Sequence, residues 1–91
     1  MTLSPPPVYV VGPTRKVALE WERKRRDPRV MRSTQITGVR EMTQRLRGMG
    51  SVSLIIVNIG QWPQGSISHE FWDRLKVVAA NYEVTIEYVE S

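Results

Sequence analysis

The sequence predicts an α/β fold: one small three-layer domain with a four-stranded, mainly parallel sheet and helices on both faces. A nearly continuous apolar run at residues 52–60 is typical of a central strand that helices cover on each side. Strand-like and helix-like patterns alternate along the chain, which predicts the order β-α-β-α-β-α-β. Two strand segments are wholly apolar and two alternate, so we expect the apolar pair in the middle and the strand order 2-1-3-4.

The first half of the chain contains two predicted strands and one helix. Residues 8–11 form a short apolar strand, which Gly12-Pro13 ends. Helix 1 is predicted from about residue 14 to residue 25, with Ala18 and Trp21 on its apolar face. Asp27-Pro28 stops this helix, because a proline disfavours the helical conformation in the preceding residue. The polar, alternating segment at residues 30–36 then predicts an edge strand.

The second half contains two helices around the central strand and a final strand. Helix 2 is predicted at residues 39–47 and helix 3 after a loop at residues 60–65, with Ser66 or Ser68 as its N-cap. Residues 84–89 alternate like a half-exposed edge strand. An antiparallel last strand is the main alternative, and a ferredoxin-like sandwich is less favoured because no hairpin is evident. The apolar stripe of helix 3 consists of Phe71, Leu75, Val78 and Ala79.

Length and composition limit the classes of protein. The 91 residues, 41 % of them hydrophobic, suffice for one domain at residues 8–91. Residues 1–7 are a proline-rich tail that we expect to be disordered. The chain has no cysteine, no apolar stretch near 18 residues and no basic-then-apolar start. We therefore expect a cytoplasmic protein that does not bind membranes.

A set of local motifs resembles a known group of sequences. The motifs are residues 8–12 with Arg15, Ala18 and Trp21 behind them, Asp27-Pro28-Arg29, Leu46-Arg47-Gly48 and Trp62-Pro63. Together they resemble small, mostly uncharacterised proteins encoded by bacteriophages of actinobacteria. The resemblance covers about residues 8 to 89 and implies a Rossmann-like or P-loop-like miniature fold. No activity is known for the group, so the resemblance assigns no catalytic residue.

The turn after the first strand lies where a phosphate-binding loop would lie. It has one glycine, and it lacks both the Walker A pattern and the pattern G-x-G-x-x-G. A degenerate nucleotide- or phosphate-binding site is therefore one hypothesis, since a helix N-terminus attracts anions. A plain strand-to-helix turn is the favoured alternative. The candidate residues at this carboxyl edge of the sheet are Gly12, Thr14, Arg15, Thr37, Gly38 and Asn58.

No set of residues indicates catalysis. The chain has one histidine, His69, and no cysteine, so metal ligation is poorly supported. None of its serines lies in a G-x-S-x-G motif, and no pair of carboxylates suggests acid–base chemistry. We expect a protein that is not an enzyme, with no metal site and no cofactor.

The basic segment at residues 23–32 gives the best interaction signal. Residues 14–48 contain eleven Lys or Arg against four Asp or Glu, whereas residues 49–91 contain two against five. A solvated helix end, a protein contact and a nucleic-acid contact all explain such a segment. Trp62 in the following Gly/Pro-rich loop is either an exposed interface anchor or packs over the sheet edge. The candidate contact residues are Arg23, Lys24, Arg25, Arg26, Arg29, Arg32 and Trp62.

These observations favour a small non-catalytic phage accessory protein in the cytoplasm of the host cell. Its expected partner is a host or phage protein rather than a nucleic acid, because no aromatic residue interleaves the basic segment. The alternative is the degenerate nucleotide- or phosphate-binding domain. A homodimer through the last edge strand is also plausible.

Overall fold

The computed structural model describes residues 6–26 and 35–90. Its elements follow the predicted alternation of strands and helices. The strands are β1 (Val8–Gly12), β2 (Ile36–Gly38), β3 (Val52–Val57) and β4 (Val84–Val89). The helices are α1 (Arg15–Arg25), α2 (Val39–Arg45) and α3 (Ser66–Asn81), with a short 3-10 helix at Ile59–Gln61.

The four strands form one sheet in the order β2-β1-β3-β4, and every neighbouring pair is parallel. The predicted α/β class and strand order are therefore confirmed, and the antiparallel alternative for the last strand is wrong. β3 pairs with β4 over its whole length, from Val52 opposite Val84 to Val57 opposite Val89. The two apolar strands lie in the middle because only they can bury both faces.

The larger core lies between the sheet and the pair α2 and α3. Val39 and Met42 of α2 and its C-cap residue Leu46 are buried there. Phe71, Leu75 and Val78 of α3 are buried in the same core. Ala79, which the periodicity placed on the same stripe, is exposed, because the helix turns this position away from the sheet. The buried residues of this core are Val11, Val39, Met42, Leu46, Val52, Leu54, Ile56, Trp62, Phe71, Leu75 and Val78.

The smaller core lies on the opposite face, beneath α1. Ala18 and Trp21 of α1 pack there with sheet residues, and Val17 and Leu19 lie half-buried at its margin. The buried members are Val10, Ala18, Trp21, Ile36, Ile55 and Val57. Helices thus cover both faces of the sheet, as the sequence predicts.

Two predicted boundaries are wrong. β2 spans Ile36–Gly38 rather than residues 30–36, since the residues that pair with β1 are the three before α2; residues 30–34 lie outside the described residues. Neither Ser66 nor Ser68 caps α3: Gly65 is its N-cap, and the Ser68 hydroxyl donates to the Pro63 carbonyl. Residues 1–5 of the predicted tail also lie outside the described residues.

Candidate functional site

The structure brings five of the predicted phosphate-loop residues together at the carboxyl edge of the sheet. Gly12 pairs with Gly38 at the ends of β1 and β2. A Cβ atom built on Gly38 would lie 3.0 Å from the Arg15 backbone nitrogen. The start of α1 therefore packs directly on these two strand ends. Thr14 is the N-cap of α1, and Thr37 lies between the paired residues and is buried.

The two threonine hydroxyls of this edge each form a hydrogen bond within the protein. The Thr14 side chain accepts a hydrogen bond from the Val17 amide at 3.3 Å, so it satisfies one of the free amides of the first helical turn. The Thr37 hydroxyl donates to the Gly38 carbonyl at 3.2 Å inside the protein. The Thr37 hydroxyl is therefore engaged in the interior, whereas Thr14 is exposed and its O–H can still donate.

A carboxylate also lies at this edge. The Glu41 Oε2 atom is 2.8 Å from the position that a Cβ atom on Gly38 would take. The first-turn amide of Arg15 lies 3.0 Å from the same position, so the carboxylate is close to the start of α1. A negative side chain complements the positive end of the helix dipole and opposes the binding of a phosphate there. Glu41 comes near α1 because it lies in the first turn of α2, whose N-cap Gly38 is also the last residue of β2.

Asn58 follows β3, and its backbone groups form hydrogen bonds within the protein. Its backbone is left-handed, with φ of 51° and ψ of 54°, a conformation that asparagine adopts more readily than most residues. Its backbone N–H donates to the Val89 carbonyl of β4 at 2.9 Å. Its backbone carbonyl accepts from the Gln61 N–H at 2.8 Å. These contacts help to position β4 and the 3-10 helix.

A cationic surface lies at the opposite edge of the sheet. Arg23, Lys24 and Arg25 fill the last turn of α1, and Arg26 is its C-cap in the left-handed conformation. All four residues are exposed; we call them the α1 cationic cluster. A crossover helix runs antiparallel to its strands, so this cluster lies at the amino edge. Arg29 and Arg32, also predicted as contact residues, lie outside the described residues.

Trp62 is not an exposed anchor, which corrects one of the two interpretations of this residue. Only 4 % of it is exposed, and its indole Nε1 donates to the Val57 carbonyl at 3.0 Å. Its ring meets Phe71 edge-on at 5.0 Å and stacks on Trp72 at 5.8 Å. The ring belongs to the larger core because it covers the end of β3 and satisfies a carbonyl there.

A second cationic surface was not predicted from the sequence. Arg40 and Arg47 from α2 and the turn after it line a cleft of about 560 Å³ together with Arg74 from α3. Arg74 is held by the Thr43 carbonyl at 3.0 Å and by the Glu70 carboxylate at 2.6 Å. The seven-residue spacing of Arg40 and Arg47 indicates a shared helix face, but the packing of α3 beside it is a tertiary feature.

Comparisons with known proteins give no relative. No protein-family model matches the chain, and no curated protein or solved structure shows significant similarity to it. In residues 6–26 and 35–90, no helix is long and apolar enough to span a membrane. The same residues contain no group of three or more His, Asp or Glu side chains that could hold a metal ion.

Proposed function

We propose that this chain is a small non-catalytic accessory protein of a bacteriophage. It acts in the host cytoplasm by binding a host or phage macromolecule, and that partner is a protein with an acidic surface. The single observation that supports this best is the α1 cationic cluster, which gathers four exposed basic side chains at one helix end. The assignment to phage comes from the motif resemblance and is part of the proposal.

The geometry of the cluster suits carboxylates. Guanidinium groups form paired hydrogen bonds with a carboxylate, and three of the four residues are arginines. Clustered charges of one sign also raise the rate of encounter with an oppositely charged surface, an effect that salt screens. All four residues are exposed, so a partner reaches them without a change in the fold.

A protein partner is favoured over a nucleic acid because the cluster has basic side chains but no aromatic ones. Binding to single strands commonly stacks bases on aromatic side chains, and residues 23–26 contain none. Trp62, the ring that the sequence offered for a contact, is buried against Phe71 and Trp72.

The alternative function is a degenerate nucleotide- or phosphate-binding domain at the carboxyl edge. The convergence of Gly12, Thr14 and Gly38 on the start of α1 favours it, and the Glu41 carboxylate opposes it. A thermal-shift panel of nucleotides tests it, because a ligand at one hundred times its dissociation constant adds about 2.7 kcal/mol of stability. We expect no shift, and a clear shift that Thr14→Ala abolishes would replace the proposed function.

Affinity capture with the full chain tests the cluster. One variant carries Arg23→Gln, Lys24→Gln and Arg25→Gln. A matched control carries Arg40→Gln, Arg47→Gln and Lys76→Gln, which removes two arginines and one lysine from exposed positions elsewhere. Each protein captures partners from an actinobacterial host lysate, with and without nuclease, and circular dichroism checks that both variants are folded.

The expected result is a protein that the wild type and the control capture and that the cluster variant loses. Its recovery falls as salt rises and is unchanged by nuclease. Equal capture by all three proteins contradicts a role for the cluster. Capture that nuclease abolishes shows a nucleic-acid partner instead.

A further inference from the structure

The outer edge of β4 presents backbone groups in a regular pattern. The Val52 amide donates to the Glu83 carbonyl at 3.2 Å, and the Asn58 amide donates to the Val89 carbonyl at 2.9 Å. These bonds fix the parallel ladder between β3 and β4, in which alternate residues direct both backbone groups to the neighbouring strand. The odd-numbered residues of β4 therefore face β3. The even-numbered residues Val84, Ile86 and Tyr88 direct their N–H and C=O groups to the outer edge.

This edge carries few of the features that protect natural edge strands. β4 contains no proline and no lysine, and its register with β3 runs without a bulge from Val84 to Val89. Proline, lysine and bulges are the common means of preventing edge-to-edge pairing. Among the described strands β4 has β3 as its one neighbour, and Tyr88 is 59 % exposed beside this edge.

Symmetry restricts how two copies of β4 can pair. A two-fold axis perpendicular to the sheet makes the strands antiparallel and keeps the two α1 faces on the same side. Residues on one face then pair with residues on the same face, so even-numbered residues oppose even-numbered ones. One residue must lie on the axis opposite its own copy. The central candidates are Thr85, Ile86 and Glu87.

Charge selects among these registers. With Glu87 on the axis, two glutamates oppose each other in a non-hydrogen-bonded pair with Cα atoms about 4.5 Å apart. With Thr85 on the axis, Glu83 opposes Glu87 of the second copy. Like charges directly opposite each other destabilise a strand pair. With Ile86 on the axis, Val84 opposes the exposed ring of Tyr88, and Thr85 opposes Glu87.

We infer that two copies of this chain pair antiparallel through β4, with Ile86 on the two-fold axis, and form one continuous sheet. In this register Ile86 and the Val84–Tyr88 pairs contribute all of the outward backbone groups to the new ladder. A β-branched residue packs against an aromatic ring at both ends, a favourable cross-strand combination. The inference is independent of the α1 cationic cluster and of its partner.

Cysteine trapping tests both the surface and the register, because the chain has no cysteine of its own. Thr85→Cys and Glu87→Cys change exposed positions. In the proposed register the thiol of a T85C copy lies opposite the thiol of an E87C copy, within the Cα separation that a disulfide spans. In two copies of the same variant the cysteines are diagonal to each other, so their Cα atoms are farther apart than a disulfide spans.

Mild oxidation of each variant alone and of an equal mixture gives the result. We expect a disulfide-linked dimer of twice 10.5 kDa in the mixture and much less of it in T85C alone, which keeps Glu83 and Glu87. Sedimentation of the wild type gives a mass that rises from monomer to dimer with concentration. Self-linking of T85C that equals or exceeds linking in the mixture contradicts the register. A dimer that forms no disulfide in any sample, or a monomer at every accessible concentration, contradicts pairing through β4.

Discussion

The two edges of the sheet are built in opposite ways. β2 is three residues long and completely buried, and its last residue packs against the start of α1. β4 is six residues long, and its side chains range from half-buried to exposed. The comparison teaches that the β2 edge is closed by the protein's own packing, so changes there act on folding. Among the described strands the β4 edge has no second neighbour, so we expect changes there to act on the proposed association.

The largest effect is expected in the closed part of the molecule, at Trp62. Trp62→Ala removes a buried ring from the larger core, and such truncations cost about 3–5 kcal/mol. Trp62→Phe keeps most of the packing and leaves the Val57 carbonyl without its indole donor, which costs about 1–3 kcal/mol. Urea denaturation measures both variants. Losses below about 1 kcal/mol in both, the lower bound for an unsatisfied buried group, would show that this ring does not close the end of β3.

A second prediction concerns the close contact between β1 and α1. Gly12→Ala places a Cβ atom 2.9 Å from two backbone atoms, the Ala18 nitrogen and the Thr14 oxygen. Because the backbone must shift to make room, we expect the free energy of unfolding to fall by about 1–3 kcal/mol, as in other overpacked sites. Gly60→Ala is the control, because a Cβ atom there meets nothing within 4 Å. Equal stability of the two variants in urea would contradict a close contact between β1 and α1.

The order of the strands can be predicted from the sequence, but the structure of the closed β2 edge cannot. The contrast between wholly apolar and alternating segments predicts the strand order correctly, because burial on two faces and on one face leave different patterns. The predicted bounds of β2 are wrong because a three-residue strand has no measurable periodicity, and its terminal Gly38 is typical of a breaker. Trp62 lies in a loop rich in such breakers, and Glu41 comes near the start of α1 only because the end of β2 at Gly38 packs against that helix.

The smallest effect on folding is expected at the outer edge of β4. Tyr88→Pro removes an amide that points away from β3, so we expect only a small loss of stability in the monomer, since proline is tolerated where the amide faces solvent. Glu87→Pro removes an amide that points to β3, and we expect a loss of about 1–3 kcal/mol. Urea denaturation at low protein concentration separates the two. An equal or reversed order would contradict the assignment of inward and outward residues.

The two proline variants also separate folding from association. Tyr88→Pro takes one outward donor from each copy, so the concentration at which the protein dimerises should rise. Sedimentation of this variant against the wild type measures that change. An unchanged dimerisation midpoint would place the contact elsewhere on the molecule.

The central claim is that β4 is half-paired in one copy and fully paired in two, and amide hydrogen exchange tests it residue by residue. We predict that the amides of Thr85, Glu87 and Val89 are protected at every protein concentration. The amides of Val84, Ile86 and Tyr88 should exchange rapidly in dilute protein and become protected as concentration rises. Rapid exchange of these three amides at all concentrations, or equal protection of all six in dilute protein, would contradict the account.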